Sequence, residues 1–230
     1  MFIFVKKYSN LLLSVFILLL VGCNFNEKDP VIIDFSESKN IENNLMGKES
    51  LHPIHVAVGA MISPKETFKY YKELFDYISI KMKYPITFKQ RKTYKEVNDM
   101  LSSNEVDLAI ICSGAYIDID NEVELLVAPV CDGKTYYQAY ILANIASDIE
   151  SFEDFRNKTF AFTDPLSNTG KLYAERRVKD LNSTCKIFFT KTLYSNAHDV
   201  SIQLVSNNMV DGATIDGLIY EYLKKMILIG

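Results

Sequence analysis

Short apolar runs alternate with amphipathic stretches from Ile54 to about Tyr222, and this rhythm leaves few folds open to the chain. Ile54-His55-Val56-Ala57-Val58-Gly59 reads as a strand. Ser63-Pro64 then opens a helix with proline in its first turn, and Phe68, Tyr71, Leu74, Phe75 and Ile78 recur along one face. A second strand is predicted at Pro85 to Lys89, a helix from Tyr94 to about Ser102, and a third strand at Val106 to Cys112. Leu108-Ala109-Ile110-Ile111 is apolar without alternation, as a parallel sheet covered on both faces requires.

The rhythm breaks once. Leu125 to Val130 and Tyr136 to Ala143 both read as strands, yet only Cys131-Asp132-Gly133-Lys134 links them. This break divides the folded part into a first lobe over residues 52–131 and a second over 132–230. The second lobe resumes with a short helix at Phe152 to Arg156, a strand at Thr159 to Phe162 and a helix to about Asn182. A strand at Lys186 to Thr190, a helix from about Ala197 to Asn207, a strand at Asp211 to Asp216 and a helix from Gly217 complete it. The expected fold class is α/β with two lobes, each a mainly parallel sheet flanked by helices.

The stretch richest in chemistry is Phe160-Ala161-Phe162-Thr163-Asp164-Pro165-Leu166-Ser167-Asn168-Thr169-Gly170. An apolar strand end, a turn forced by Asp164-Pro165 and a hydroxyl-rich helix start make a cradle for an oxyanion. The first N–H groups of a helix lack partners within it and sit at its positive end. Ser167 and Thr169 add hydroxyl donors, and Gly170 is expected to let a ligand approach the backbone. Taken alone, the same residues are better read as a well-capped helix, and it is the rest of the chain that favours the cradle. Ser113-Gly114-Ala115-Tyr116 repeats the small-residue turn after the third strand, at the sheet edge where ligands collect in open α/β folds.

Residues 1–23 read as a targeting segment. Lys6 and Lys7 precede the apolar run Leu11 to Val21, which ends at Leu20-Val21-Gly22-Cys23. Residues 24–51 carry Asn, Glu, Ser, Lys and Asp with no sustained period, as a flexible tether would. Losing Lys6 and Lys7 with the leader leaves 23 basic against 29 acidic residues, a net charge of −6. That balance argues against a nucleic-acid partner and leaves any anion site dependent on local dipoles and hydrogen bonds. Cys112, Cys131 and Cys185 show no metal-ligand spacing and are expected to be buried free thiols, although one disulfide is open to them. No metal and no cofactor are expected.

Four stretches, in order, resemble the substrate-binding proteins of phosphate, phosphite and phosphonate ABC transporters. They are Arg91-Lys92-Thr93-Tyr94, Asp132-Gly133-Lys134-Thr135-Tyr136-Tyr137, Asp164 to Gly170, and His198-Asp199-Val200-Ser201-Ile202-Gln203 running into Val210-Asp211-Gly212-Ala213. Leu20-Val21-Gly22-Cys23 resembles a lipobox, which implies lipid attachment at Cys23 on the extracytoplasmic face of a bacterial membrane. The resemblance implies a periplasmic-binding-protein fold that closes on its ligand by hinge bending, and a non-enzymatic monomer that delivers its cargo to an ABC permease. It further implies an oxyanion held by Ser167, Asn168 and Thr169, hydroxyls from Tyr94 and Tyr137, His198 facing the cleft, and Asp216 where an acidic residue can meet a ligand amine. Asn168 departs from the serine or threonine usual at its position. The family's chains also generally continue further and return to the first lobe, so that lobe is expected to be incomplete here.

Each of these residues has a plainer role open to it. Tyr94 begins an amphipathic helix and can simply pack; Tyr136 and Tyr137 suit a strand by aromatic propensity alone. His198 can sit in a helix first turn without touching any ligand, and Asp216 can cap the last helix. Function keeps alternatives as well: a sensory or interaction lipoprotein reusing the fold, or a truncated copy without function. An enzyme acting on phosphate esters ranks last, because neither a GxSxG elbow nor a Cys/His pair is present.

Overall fold

The structure, a computed structural model, describes residues 51–59 and 61–229. The leader, Cys23 and the tether up to residue 50 lie outside them. Two sheets form. In the first, β1 (Ile54–Val58) lies between β2 (Ile86–Gln90) and β3 (Leu108–Ile110), all parallel. Helices α1 (Pro64–Met82), α2 (Tyr94–Ser102) and the short α3 (Ser113–Asp118) connect and follow these strands. Local chemistry sets their ends. Pro64 starts α1 behind Ser63, and Lys83 ends it in the left-handed conformation. Thr93 and Glu96 form a capping box at the start of α2, each side chain taking the other's backbone N–H.

The second sheet has the order β4 (Ala139–Ala143), β7 (Gly212–Asp216), β5 (Thr159–Phe162), β6 (Lys191–Tyr194). β5 runs parallel to β6 and β7, while β4 is antiparallel to β7. A 3-10 turn (Phe152–Phe155) precedes β5, and a π-helical turn (Asn168–Leu172) leads into α4 (Tyr173–Asp180). Helices α5 (Cys185–Phe188), α6 (His198–Ser206) and α7 (Gly217–Ile229) follow. On one face six phenylalanines close a core: Phe152, Phe155, Phe160, Phe162, Phe188 and Phe189. Phe160 and Phe189 stack with centroids 4.5 Å apart. On the other face Ala161, Ala213 and Ile215 pack with Val205 and Val210.

Three sequence readings are corrected. Leu125 to Val130 form no strand; the segment is irregular and Val127 is 83% exposed. Apolar residues become a strand only beside a partner, and no described strand pairs with these. The strand expected over Tyr136 to Ala143 shortens to Ala139–Ala143. The run expected as a strand at Lys186 to Thr190 instead holds the last part of α5, and the strand moves to Lys191–Tyr194. A short apolar run such as Ile187-Phe188-Phe189 cannot distinguish one buried helical turn from a strand. All three described cysteines are free thiols, but only Cys112 is buried, and Cys131 is exposed on the turn that follows the irregular segment.

Candidate functional site

The loops at the carboxyl ends of the strands meet between the two sheets. β1 leads to Gly59 and Ser63, β2 to Thr93 and Tyr94, β3 to Cys112 and Ser113, β5 to the stretch from Thr163 to Gly170, and β7 to Asp216. That is the edge where open α/β sheets gather ligands.

Within the cradle the chain first satisfies itself. Ser167 is buried and its hydroxyl accepts the Gly170 N–H at 2.9 Å, while its carbonyl accepts the Lys171 and Leu172 N–H groups. Asp164, also buried, accepts the Leu166 N–H at 2.8 Å with one carboxylate oxygen and the Tyr94 N–H at 3.0 Å with the other. Gly170 does not admit a ligand. A β-carbon there would lie 1.5 Å from Thr163 Oγ1, so the missing side chain makes room for Thr163. Asn168 and Thr169 begin the π-helical turn, where no earlier helical carbonyl serves their N–H groups.

Those two residues line a groove of about 360 Å3 together with Tyr137, Gln138, Ala139 and Tyr173. The β4–β7 register explains why Tyr137 is present: Ala139 pairs with Asp216, so the residues just before β4 run beside the end of β7. The Asn168 side-chain amide donates to Ser113 Oγ at 3.0 Å from across the cleft, and the Tyr137 hydroxyl lies near the same Ser113 side chain. The N-terminal end of α3 is pressed onto the cradle, since a β-carbon on Gly114 would meet the Leu166 carbonyl at 2.2 Å.

Three further candidates lie deeper. Burial holds the Tyr94 hydroxyl well above the usual phenol range, and Cys112, Asp164, Tyr137 and Asp216 push it the same way. Tyr137 is raised by burial and by Asp216, with Ser113 opposing. Tyr94, Tyr137 and Asp216 therefore share one neighbourhood. Asp216 accepts the Leu218 and Ile219 N–H groups and so caps α7, while burial raises its own pKa. His198 Nδ1 accepts the Asp216 N–H at 3.0 Å, and burial lowers the imidazole to about 4. The ring is thus neutral at pH 7 and carries its proton on Nε2.

The structure thus brings Tyr137, Asn168 and Thr169 to one groove, buries Tyr94, His198 and Asp216 outside its lining, and uses Ser167 to support the loop. Ser113, Gln138 and Tyr173 join the site from outside the expected set; for Ser113 the small-residue turn after β3 is the available signal. None of the groove-lining side chains is charged. Among the described residues no group of His, Cys, Asp and Glu could hold a metal ion.

Two sheets whose strand ends face one cleft give the two-lobed fold of the periplasmic-binding-protein class. Residues 56–228 match the family described as ABC transporter, phosphonate, periplasmic substrate-binding protein, and the chain belongs to that family. Among solved structures, it is similar to a binding-protein component of an ABC phosphonate transporter from Pseudomonas aeruginosa. The two share 23% identity at a TM-score of 0.70, over 76% of this chain and 60% of that one. PhnD1 of Prochlorococcus marinus, solved with methylphosphonate, shows 16% identity and a TM-score of 0.64, over 74% and 65% of the two chains. A Xanthomonas citri protein solved with ATP is 14% identical at a TM-score of 0.55, over 72% and 64%. The chain therefore spans about 60–65% of the length of these relatives.

Proposed function

We propose that this chain captures a phosphorus oxyanion (phosphate, phosphite or a small phosphonate) in a cleft between the lobes, at the groove that Tyr137, Asn168 and Thr169 of the second lobe line, and passes it unchanged to an ABC permease. The observation that carries the reading is the groove itself: Asn168 and Thr169 at a helix start, with Tyr137 opposite and no charged side chain in the lining. Neutral donors hold an oxyanion through several hydrogen bonds yet release it more readily than an arginine clamp would. Tyr94, Ser167, His198 and Asp216 complete the proposed binding set, with Asp216 available to a ligand amine. Methylphosphonate in the Prochlorococcus relative supports the ligand class.

The proposal extends to place and organisation. Cys23 carries a lipid that tethers the chain outside the membrane, residues 24–51 act as the tether, and a monomer with lobes over 52–131 and 132–230 closes around its ligand. Calorimetric titration of the purified chain with phosphate, phosphite, methylphosphonate and an aminoalkylphosphonate tests the central part. Saturable heat with at least one of them is expected, and no heat with any would remove the transport reading.

A further inference from the structure

We infer that Asp164 and Asp199, two carboxylates of the second lobe, latch the lobes together by capping the N-terminal ends of helices in the first. The inference rests on the binding-protein reading and names side chains that set its open–closed balance without lining the groove. Asp199 Oδ1 accepts the N–H of Ser63, the residue that caps α1, at 2.9 Å across 136 positions of sequence. Asp164 Oδ2 accepts the N–H of Tyr94, the first residue of α2, at 3.0 Å. Each carboxylate thus meets a positive helix end belonging to the opposite sheet. A reverse bond sits beside the first pair, where the His198 N–H donates to the Met61 carbonyl at 3.0 Å.

Both carboxylates are buried, Asp164 at 3% and Asp199 at 8% exposure. A buried carboxylate is tolerated where hydrogen bonds replace its water. Asp164 draws one of its two backbone partners from its own loop and the other from the opposite lobe, so separating the lobes removes half of that set. Asp199 likewise loses Ser63. These bonds exist only while the lobes touch, and they stabilise that arrangement over any open one. Ligand residence depends on them because a ligand held between lobes leaves when the lobes part.

Ser63→Pro tests the latch from one side and Asp199→Ala from the other. Ser63 has φ −53°, which proline adopts, and its N–H is the atom the latch uses. Ser63→Ala keeps that N–H and serves as the control. Small-angle scattering of the ligand-free chain should show a larger radius for Ser63→Pro and for Asp199→Ala, with the control unchanged. Methylphosphonate should dissociate about tenfold faster from either variant, the size of one charge-assisted hydrogen bond. The double variant should be no worse than either single one, since both break the same contact. Wild-type radius and dissociation rate in both single variants, or additive effects in the double, would overturn the latch. If the wild-type chain binds no methylphosphonate, the ligand-free radii still decide the latch while the ligand reading fails separately. If one variant does not fold, the other carries the test, because the two lie in different lobes.

Discussion

Gly170→Ala is expected to cost at least about 3 kcal/mol and to lower the melting temperature by about 6–12 °C for a chain of this size. The new β-carbon would lie 1.5 Å from Thr163 Oγ1 and 2.7 Å from both Thr163 Cβ and Ser167 Oγ. Thr163 Oγ1 is buried with no hydrogen-bond partner among the described residues, so rotating it away loses no bond there. Thr163 Cβ is another matter. It sits at the end of β5, where the Thr163 N–H bonds the Gly170 carbonyl at 2.9 Å, and it cannot retreat without moving the strand or the cradle. Gly133→Ala is the useful contrast. Gly133 has φ +74° with no described residue within 4 Å of the added atom, so only backbone strain of about 1 kcal/mol is expected. Thermal unfolding of both variants separates the cost of space from the cost of torsion; equal shifts would show that the cradle packs more loosely than described.

The second large effect is acid sensitivity centred on His198. Burial lowers its folded pKa from 6.5 to about 4, so the unfolded chain takes up a proton in a range where the folded chain does not. Stability is therefore complete above pH 6.5, falls as the pH drops toward 4, and stops changing from this source below that. The gap amounts to about 3 kcal/mol. Asp216 acts in the opposite sense, since burial raises its folded pKa above 3.8 and its protonation on acidification relieves that cost. His198→Asn isolates the histidine, because an amide oxygen can replace Nδ1 as acceptor for the Asp216 N–H without titrating. Denaturant unfolding at pH 7 and pH 5 should show a smaller loss in the variant than in the wild type. An equal loss in both would mean that His198 is solvated in the folded chain.

Much of this architecture was legible in residue order because the signals are local. Pro64 and Thr93 with Glu96 announce α1 and α2 and need only neighbours in sequence to act, while the regular alternation of apolar strands with helices points to the parallel sheets. The segment 125–130 misled because strand formation depends on a partner that composition does not reveal. Within the site, Ser167, Asn168 and Thr169 were visible as a hydroxyl-rich helix start, but not their division of labour. The Ser167 hydroxyl accepts the backbone N–H of Gly170 while Asn168 and Thr169 line the groove, a difference set by burial in the folded loop. The pairing of Asp199 carries no local signal because its partner Ser63 lies 136 positions away in sequence. Gly170 is legible as a special position, but Thr163, not a ligand, occupies the space beside it.

The central claim is that amide and hydroxyl donors around Asn168, Thr169 and Tyr137 receive a tetrahedral anion between the lobes. Amide resonances of the isotopically labelled chain, followed during a methylphosphonate titration, test it most directly. The account predicts saturable shifts of the Asn168 and Thr169 amides together with Ser113 and Gln138 across the groove. Saturable shifts elsewhere with these four unmoved, or no shift at any ligand concentration, would contradict it.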